Sequence, residues 1–576
     1  MSTNHTETST NNILEGKIPA YDDKTQVLVV GGALTGLSAA VFLGAHSVQC
    51  VIVERHPDLL IHPRLRGINP RTVELFRQVG LEPAIHAASY VRTRDYTLEA
   101  VRAERLADKE YARIEENKDE DGDSFDNISP SGFGWIDQDK LEILLRDRAR
   151  GLGADIRFGT ELMSFGQDDT GVTAVLQDRR TGTEQTLHAD YLIAADGANS
   201  SIRRRLGIKV DGPGVLYHTI TAMVEADLTS ALRGRRVDIA YVQRPRPYTV
   251  LLAHDAAGKH WVFGTGYDPT RESIEDYTDE RVVEMVRAAA GLPDVNVKLR
   301  PQIPGTDLKV LGFNIGAHVA RRYRAGRVFL AGDAARINPP TGGLGGNTGI
   351  QDAHNLAWKL AAVIHGEAGP ALLDTYHDER HPTGLLTMQQ AIARFGSRMG
   401  QGAGIPFTDY GALTIGYQYR SSCILDAAEK DISPLLPKEL TGQPGTRAPH
   451  VVVRVGGQDI STIDLYGRHF VLLTGADGAA WISAAKRVMK QMGIQLAAYS
   501  FGIELGSSEV AVAHGISNDG ALLVRPDGFV AWRITSAAKE PENVLKDILL
   551  SLLCRTQTHY RKSSNIAPAP YGPKPQ

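Results

Sequence analysis

QVLVVGGALTG, residues 26–36, sets an apolar segment of strand length directly before a glycine-rich turn. A helix rich in small residues follows, and then a second apolar strand, Gln49 to Val53, ends at Glu54. This order predicts a β-α-β unit with a right-handed crossover, whose turn lies at the N-terminus of the helix. At such a position, backbone N–H groups and the helix dipole bind the pyrophosphate of a dinucleotide.

The turn departs from the usual Gly-x-Gly-x-x-Gly pattern because Ala33 stands where the middle glycine is expected. Its methyl group predicts a slightly weaker or shifted approach of the phosphate. Glu54 ends the second strand, where a carboxylate accepts hydrogen bonds from ribose hydroxyls. We predict dinucleotide contacts at Gly31, Ala33, Thr35, Gly36, Glu54 and Arg55.

Length and composition limit the kind of protein. At 576 residues with 42% hydrophobic content, the chain predicts two or three domains with cores of their own. A formal net charge of −4 gives no electrostatic reason to expect nucleic acid or an anionic membrane as partner. The three cysteines lie far apart, which predicts no metal site and favours a reducing cytoplasm. Apolar runs are of strand length, so we expect no transmembrane segment.

Two further motifs each follow an apolar strand. DGANSSIR, residues 196–203, comes after the strand Tyr191 to Ala195, and GDAA, residues 332–335, closes the strand Val328 to Ala331. Asp-Gly alone is an ordinary turn signal. The GDAA motif, the third along the chain, continues through PPTGGLGGN into a long predicted helix. So many glycines before a helix are costly unless the backbone approaches a ligand or adopts positive φ.

The three motifs, in this order, resemble those of the class A flavoprotein monooxygenases, the family of para-hydroxybenzoate and phenol hydroxylases. The likeness covers roughly residues 26–382. It implies an α/β fold in which a discontinuous Rossmann-like FAD-binding domain of the para-hydroxybenzoate hydroxylase type is interrupted by an antiparallel-sheet substrate domain. It also implies FAD as cofactor and NADPH or NADH as a transient reductant, since no second dinucleotide fingerprint is present.

The same resemblance implies the roles of further residues. Asp333 is expected to bind the ribityl and pyrophosphate region of FAD, and the backbone of Gly345, Gly346 and Asn347 to meet the pyrimidine edge of the isoalloxazine. Positive potential at that helix N-terminus stabilises an anionic reduced flavin. The remaining predicted cofactor contacts are Arg64 in HPRLRG, Gln138 in QDKLE, Asp196 and Arg203.

Composition shifts and patterning predict the domain organisation. Alternation over Ile239 to Val242 and Thr249 to Ala253 predicts strands of an antiparallel sheet, and a long helix is predicted from Gly349 onward. The third region carries VRPDGFVAWR, residues 524–533, and resembles the thioredoxin-like tail of the larger family members, although without a CxxC pair it has no dithiol chemistry. We therefore expect it to fold as a separate module without a redox role. The predicted segments are a disordered leader over 1–24, the first part of the FAD-binding domain over 25–208 with a solvated acidic loop over 97–133, the substrate domain over 209–310, the second part of the FAD-binding domain over 311–410, the thioredoxin-like domain over 436–555 and a disordered tail over 556–576.

Among the larger members, the chain most resembles the bacterial hydroxylases of aromatic polyketide biosynthesis, of the tetracenomycin and aklavinone hydroxylase type. The implied reaction reduces FAD with NAD(P)H, forms a flavin C4a-hydroperoxide with O2 and transfers its distal oxygen to a multicyclic aromatic substrate. The carbonyl of Pro340 is expected to accept a hydrogen bond from a substrate phenol. Tyr241 and Arg398 are further candidates for substrate contact, with a packed tyrosine and a surface arginine as the alternative interpretation.

Three other functions compete with this one. A flavin-dependent halogenase needs a WxWxIP element, and no two tryptophans here lie within three residues of each other. A Baeyer–Villiger oxygenase on the same scaffold stays open, because only the pocket decides whether a ring or a ketone is oxygenated. A non-catalytic FAD-binding protein, from another functional class, also stays open. A homodimer is a further candidate, as the quaternary structure.

Overall fold

The computed structural model describes residues 23–59, 65–90, 98–116, 125–255, 257–303, 305–399, 404–427, 433–503, 505 and 509–555. The strands are β1 (Asp23–Val30), β2 (Cys50–Glu54), β3 (Leu98–Ala103), β4 (Ala112–Glu116), β5 (Asp155–Phe158), β6 (Thr160–Gln167), β7 (Val172–Asp178), β8 (Glu184–Ala194), β9 (Val210–Glu225), β10 (Ile239–Val242), β11 (Thr249–Ala253), β12 (His260–Gly266), β13 (Lys298–Arg300), β14 (Val310–Ala320), β15 (Arg324–Ala325), β16 (Val328–Leu330), β17 (Arg336–Ile337), β18 (Val452–Val455), β19 (Gln458–Ser461), β20 (Phe470–Thr474), β21 (Leu496–Ser500), β22 (Ala521–Val524) and β23 (Val530–Ile534).

The α-helices are α1 (Leu34–Ala45), α2 (Pro70–Arg77), α3 (Glu82–Ala88), α4 (Gln138–Gly151), α5 (Ser201–Arg205), α6 (Thr229–Leu232), α7 (Asp279–Ala290), α8 (Leu344–Ile364), α9 (Thr375–Arg398), α10 (Tyr410–Thr414), α11 (Ala479–Met492), α12 (Glu509–Ala513) and α13 (Pro541–Leu552). Within the described part of the chain, no helix is both long and apolar enough to span a bilayer.

A parallel sheet in the order β16-β8-β1-β2-β5 forms the centre of the first body. Its central strand β1 is fully buried over residues 27–29, as expected of a strand covered on both faces. Strand β16 enters the sheet beside β8, although more than 130 residues separate them in the chain. The predicted discontinuity of the α/β domain is therefore present, and all three motifs follow strands of this one sheet.

A second, largely antiparallel sheet has the order β17-β14-β9-β12-β11-β10-β3-β4. The predicted strands at Ile239–Val242 and Thr249–Ala253 are confirmed with the same bounds. The sheet, however, extends beyond the predicted 209–310: β14 and β17 follow that range, and β3 and β4 lie where the sequence predicts a loop over 97–133. That prediction is wrong at β3, since the apolar residues of LEAVRA turn inwards while its charges face out. The acidic residues that follow this strand in the sequence conceal its short apolar pattern.

The C-terminal region has a four-stranded sheet, β21-β20-β22-β23, with α11 and α13 packed together beside it. Only part of its core is its own: one apolar cluster, around Val471 and Leu522, lies wholly within this region. Trp358 and Leu372, which precede this region, lie in one apolar cluster with Phe470, Trp481 and Leu549. The expectation of a separate module is therefore wrong in its packing, because α8 contributes to both cores.

Candidate active site

The glycine-rich turn follows β1 at the carboxyl edge of the parallel sheet. Gly31 has φ of +109°, and a Cβ there would lie 2.2 Å from the carbonyl oxygen of Ala195, so no other residue fits. A Cβ at Gly36 would lie 1.8 Å from the carbonyl oxygen of Gly31, which shows how closely α1 packs on the turn. Ala33 precedes α1 as its N-cap and is partly exposed. Its methyl group is tolerated where the usual pattern has a glycine.

Glu54 lies beside this turn at the end of β2. Its Oε2 accepts the N–H of Gly32 at 2.8 Å, and its Oε1 accepts the N–H of His56 at 2.9 Å. Burial raises the pKa of Glu54, but hydrogen bonds from His56 and Gly32 outweigh it and leave the pKa below its usual value. The group is therefore a carboxylate at neutral pH. Arg55, also predicted as a contact, is exposed.

Thr35 connects the first motif to the third. A Cβ at Gly332 would lie 2.4 Å from Thr35 Oγ1, and one at Gly349 would lie 2.6 Å from the same atom. The start of α1, the Gly332 turn and the second turn of α8 thus meet around one side chain. The two glycines are needed because any side chain there would displace Thr35.

Arg203 connects the second motif to the third. Its Nη1 donates to the carbonyl oxygen of Ala334 at 2.7 Å, and its Nη2 donates to that of Ala198 at 3.3 Å. Asp196 Oδ2 accepts the N–H of Ile202 at 3.2 Å. Asp196 Oδ1 is buried, and no hydrogen-bond partner reaches it from the residues the structure describes. That oxygen is the kind of acceptor that a ligand hydroxyl satisfies.

Asp333 is exposed on a short 3₁₀ turn, Gly332–Ala334, held from below by a buried carboxylate. Asp352 Oδ2 accepts the N–H of Gly332 at 3.1 Å and pairs with Arg336, while Oδ1 accepts Nε of Arg380 at 2.8 Å. Sequence reasoning missed Asp352 and Arg380. A signal was present for Asp352, which stands in the largely apolar α8, but not for Arg380, which stands among other charged residues of α9.

The start of α8 packs against the Gly332 turn, where a Cβ at Gly349 would lie 3.3 Å from the Cα of Gly332. Gly342 and Gly343 have φ of +84° and +62°, so the chain turns sharply just before the helix. The first N–H groups of an α-helix have no acceptor within it. Among the residues that the structure describes, a Cβ at Gly345 would meet no atom within 4 Å, whereas one at Gly346 would press on Leu65. This part of the chain therefore leaves the backbone of Gly345 open.

Asn347 has a structural role at this end of α8. Its Oδ1 accepts the N–H of Asn69 at 2.9 Å, and its Nδ2 donates to the carbonyl oxygen of Gly343 at 2.7 Å. Asn69 is the N-cap of α2, so Asn347 joins the starts of two helices. Pro340 is exposed, and its carbonyl oxygen accepts the N–H of Gly343 at 3.3 Å, which leaves one lone pair for another donor.

Gln138, the first residue of α4, donates from Nε2 to Glu142 Oε1 at 2.7 Å. The same oxygen accepts the N–H of Leu34 at 2.9 Å, at the first turn of α1. The sequence prediction names Gln138 but overlooks Glu142, although the i, i+4 spacing places both on one helix face. Arg64 lies outside the described residues.

The two substrate candidates contact each other across the second sheet. Arg398, the last residue of α9, donates from Nη1 to Tyr241 Oη at 3.1 Å. Burial, with a smaller effect from Arg102, lowers the pKa of Arg398 to about 10, and burial raises the pKa of Tyr241. Arg398 is therefore a buried cation at neutral pH, and the surface-arginine alternative is wrong for it. The tyrosine is a neutral phenol under the same conditions.

Comparison with known proteins identifies the family. A family model described as FAD binding domain matches residues 24–391, and one described as aromatic-ring hydroxylase, C-terminal, matches residues 441–555. The chain belongs to the FAD-dependent aromatic-ring hydroxylases. It is an enzyme of the monooxygenase class with FAD as cofactor, and NAD(P)H is the typical reductant of this family.

Similar proteins cover nearly the whole chain. The tetracenomycin B2 monooxygenase-dioxygenase of Streptomyces olivaceus is 43% identical over 92% of this chain and 99% of its own length. The 4-methyl-5-nitrocatechol 5-monooxygenase of a Burkholderia species is 41% identical over 93% and 98%. A crystal structure of aklavinone-11 hydroxylase with FAD and aklavinone is 36% identical, with a TM-score of 0.84 over 93% and 100%. These relatives support hydroxylation over the Baeyer–Villiger and non-catalytic alternatives.

Proposed function

We propose that this chain is a single-component monooxygenase that hydroxylates a multi-ring phenolic substrate of the aromatic polyketide type, with NADPH or NADH and O2. The observation that carries the proposal is the convergence of three distant motifs at the carboxyl edge of one parallel sheet, together with the contact between Tyr241 of the second sheet and the buried Arg398 at the end of α9. Glycine-rich turns at strand ends suit a dinucleotide cofactor, and a phenol beside a buried cation suits an acidic aromatic partner.

The residues fit FAD in three respects. The turn at Gly31 and the N-terminus of α1 match a pyrophosphate, and Glu54 offers a carboxylate for the ribose. Asp196 Oδ1 lacks a partner among the described residues, as expected of an atom that meets a ligand. The side of α8 at Gly345 is open, which leaves room for a flat ring. We assign Gly31, Ala33, Thr35, Gly36, Glu54, Arg55, Gln138, Asp196, Arg203, Asp333, Gly345, Gly346 and Asn347 to this site, and Arg64 on the family resemblance alone.

When bound, FAD supplies the electron transfer from NAD(P)H and the activation of O2. The protein supplies position and charge. The N-terminus of α8 would direct N–H groups and its positive dipole end at a bound flavin, which would favour the reduced cofactor as an anion.

The substrate is expected to bind where Tyr241 and Arg398 meet. A phenol placed there would exchange the Tyr241 contact for a hydrogen bond to the guanidinium, which favours the phenolate. Pro340 is exposed, and its carbonyl oxygen keeps an acceptor lone pair for a substrate hydroxyl. Ionisation raises the electron density of the ring, and an electron-rich ring carbon is what the oxygen transfer requires.

A monocyclic nitrocatechol is the second candidate substrate. The observation in its favour is the 41% identity to the nitrocatechol monooxygenase, which nearly equals that to the tetracenomycin enzyme. Both substrate types are acidic phenols, so the cation at Arg398 suits either. Ring count is the distinguishing property.

The finer architecture is also part of the proposal. A para-hydroxybenzoate hydroxylase-type arrangement is supported by the second sheet, most of whose strands, β9 to β14, lie in chain order between β8 and β16 of the first. A thioredoxin-like C-terminal domain over 436–555 is supported by its central sheet with helices. We extend the substrate domain from 209–310 to include β3, β4, β14 and β17, and we keep 25–208 and 311–410 as the two approximate parts of the FAD-binding domain. Location in the cytoplasm and assembly into a homodimer stay predictions.

Reductant consumption tests the proposal. Oxidation of NADPH and NADH is measured with the purified holoenzyme alone, with a tetracyclic phenol and with a nitrocatechol. We expect slow oxidation alone and at least tenfold stimulation by the tetracyclic phenol, because substrate must favour the reducible conformation. Stimulation by the nitrocatechol alone would select the second candidate, and equal rates in all three cases would contradict substrate gating.

A further inference from the structure

The turn Arg525-Pro526-Asp527-Gly528 projects from the C-terminal sheet into the FAD-binding domain. Both charged side chains are essentially buried, at 0% and 2% exposure. Gly528 has φ of +80°, and its N–H donates to the carbonyl oxygen of Arg525 at 2.9 Å, which closes the turn. Buried charges are costly unless paired, so the partners of this turn decide what it does.

The first partner group lies on α8 and α9. Arg525 donates through both guanidinium nitrogens to Glu379, at 2.6 and 2.8 Å. Lys359 on α8 donates to the same carboxylate at 2.7 Å, so Glu379 joins two helices to the turn. Asp527 Oδ2 accepts Nδ2 of Asn355 and Nε1 of Trp358, each at 3.2 Å. The turn thus holds α8 by its fourth and fifth helical turns.

The second partner group lies on α2. Arg71 donates from Nη2 to the carbonyl oxygen of Asp527 at 2.6 Å and from Nη1 to Glu74 at 2.8 Å. Arg447, from the segment that leads into the C-terminal sheet, pairs with Glu74 from the other side. These side chains are all 2% exposed or less. A second contact across the same boundary, Arg77 to Asp464, lies at the surface instead.

These contacts form a closed ring. From Asp527 the ring runs to Asn355, along α8 to Asn347, across to Asn69 at the start of α2, and through Arg71 back to Asp527. The α8 step covers eight residues, or about 12 Å of helix. Because a helix is stiff over that length, fixing Asn355 and Asn69 also fixes the N-terminus of α8.

We infer that Arg525 and Asp527 are positioning residues for FAD, and that the C-terminal domain sets where α8 begins relative to α2. The inference rests on the flavin placement proposed above. It gives this domain a role that needs no cysteine pair. It also gives a reason for the costly set of buried charges that lies beside the apolar contact between the two domains, since hydrogen-bonded charges fix one register more strictly than apolar packing does.

Affinity for FAD tests the inference. In Asp527→Asn, the new amide keeps the shape of the side chain, but its NH2 group meets donors in either orientation. Asn355 and Trp358 lie on one side, and Nε of Arg525 and the N–H of Phe529 lie on the other. We expect the Kd for FAD of the apoprotein to rise at least tenfold at 10 °C, and flavin reduction at saturating FAD to slow. The matched control is Asp464→Asn, which removes the surface pair across the same boundary and should leave both values within twofold.

A purely structural role would lower the Tm of Asp527→Asn and leave the Kd and the reduction rate of the folded protein unchanged, which would overturn the inference. If Asp527→Asn does not fold, Trp358→Phe decides, because it removes one hydrogen bond to Asp527 without removing charge. We expect about a threefold rise in Kd, and an unchanged Kd would overturn the inference. If Gly345→Ala weakens FAD binding while neither Asp527→Asn nor Trp358→Phe does, the flavin placement stands and the positioning role alone is wrong.

Discussion

At the scale of residues, the site separates into groups that face the cleft and groups that hold them. Asp333 is exposed on its turn, while Asp352 beneath it is fully buried and pairs with two arginines. The sequence motifs lead to the first kind, because they record what a dinucleotide needs. The second kind is visible only once distant segments are brought together. The Asp352–Arg380 pair joins different helices, and Arg203 reaches Ala334 from more than a hundred residues away.

Asp333→Ala should lose FAD while the protein stays folded. The side chain is exposed and lies on a short turn, so its removal costs little packing, whereas FAD loses a partner. We expect a rise of at least tenfold in the Kd for FAD, measured by quenching of flavin fluorescence. Glu280→Ala, an exposed acid on α7, is the control and should retain wild-type affinity. Full flavin occupancy in Asp333→Ala would show that Asp333 has been placed wrongly.

Arg398→Gln should raise the pKa of a bound phenolic substrate. The guanidinium has a lowered pKa of about 10, so it is protonated up to about that pH and stabilises a phenolate beside it. Without it, the phenolate forms only at higher pH, and we expect a shift of at least one pH unit in the absorbance titration of bound ligand. Tyr241→Phe should shift the titration less, since it removes no charge. An unchanged titration in Arg398→Gln would remove this residue from the pocket.

At the scale of elements, α8 is the helix on which the account depends. Its N-terminus carries Gly345 and Asn347, its middle holds the C-terminal turn, and its end packs in the C-terminal core. The sequence predicts a long helix from Gly349 onward, whereas α8 begins five residues earlier, at Leu344. Glycines lower helix propensity, and only the packing of Gly346 against Leu65 and of Gly349 against Thr35 explains why they are helical here.

Gly345→Ala should have opposite effects on the apoprotein and on cofactor binding. The new methyl group meets no atom of the described residues within 4 Å. Replacing a helical glycine stabilises a fold by roughly 0.5–1 kcal/mol, which corresponds to a rise in Tm of about 1 °C for a chain of this length. If the flavin occupies that space, the same methyl group weakens FAD binding. We expect the Tm of the apoprotein to rise by about that amount and the Kd for FAD to increase severalfold.

Gly151→Ala is the matched control, because that glycine also lies in a helix, α4, with open space around it. It should raise the Tm of the apoprotein and leave the Kd for FAD unchanged. An unchanged Kd in Gly345→Ala as well would move the flavin away from α8.

At the scale of the whole molecule, the parallel sheet and its order of motifs are predictable, and the domain boundaries are less so. Strands β10 and β11 are found where alternation predicts them, since each buries one face only. Strand β3 is present but is not predicted from the sequence, because charged residues around it mask its short apolar pattern. The core that α8 shares with the C-terminal sheet cannot be predicted from local sequence. A helix that is buried on all sides has the same apolar pattern whichever element packs against it.

Acid should destabilise the protein from about pH 6.5 downwards. Burial lowers the pKa of His354 to about 3 and that of His514 to about 4, while an unfolded histidine has about 6.5. The unfolded state therefore binds more protons between these values, and each residue costs about 1.4 kcal/mol per pH unit. Tm measured from pH 8 to pH 4.5 should fall, and His514→Gln should fall less steeply from its own value at pH 8. A flat Tm down to pH 5 would contradict this assignment.

Oxygen isotope incorporation tests the central claim most directly. The holoenzyme, its preferred reductant and a tetracyclic phenol are incubated under 18O2, and the product is analysed by mass spectrometry and NMR. The account predicts a product carrying one 18O atom on a ring carbon, with at least half of the consumed reductant accounted for by product. A substrate that leaves unaltered, with all oxygen recovered as hydrogen peroxide, or a product whose new oxygen comes from water, would contradict it.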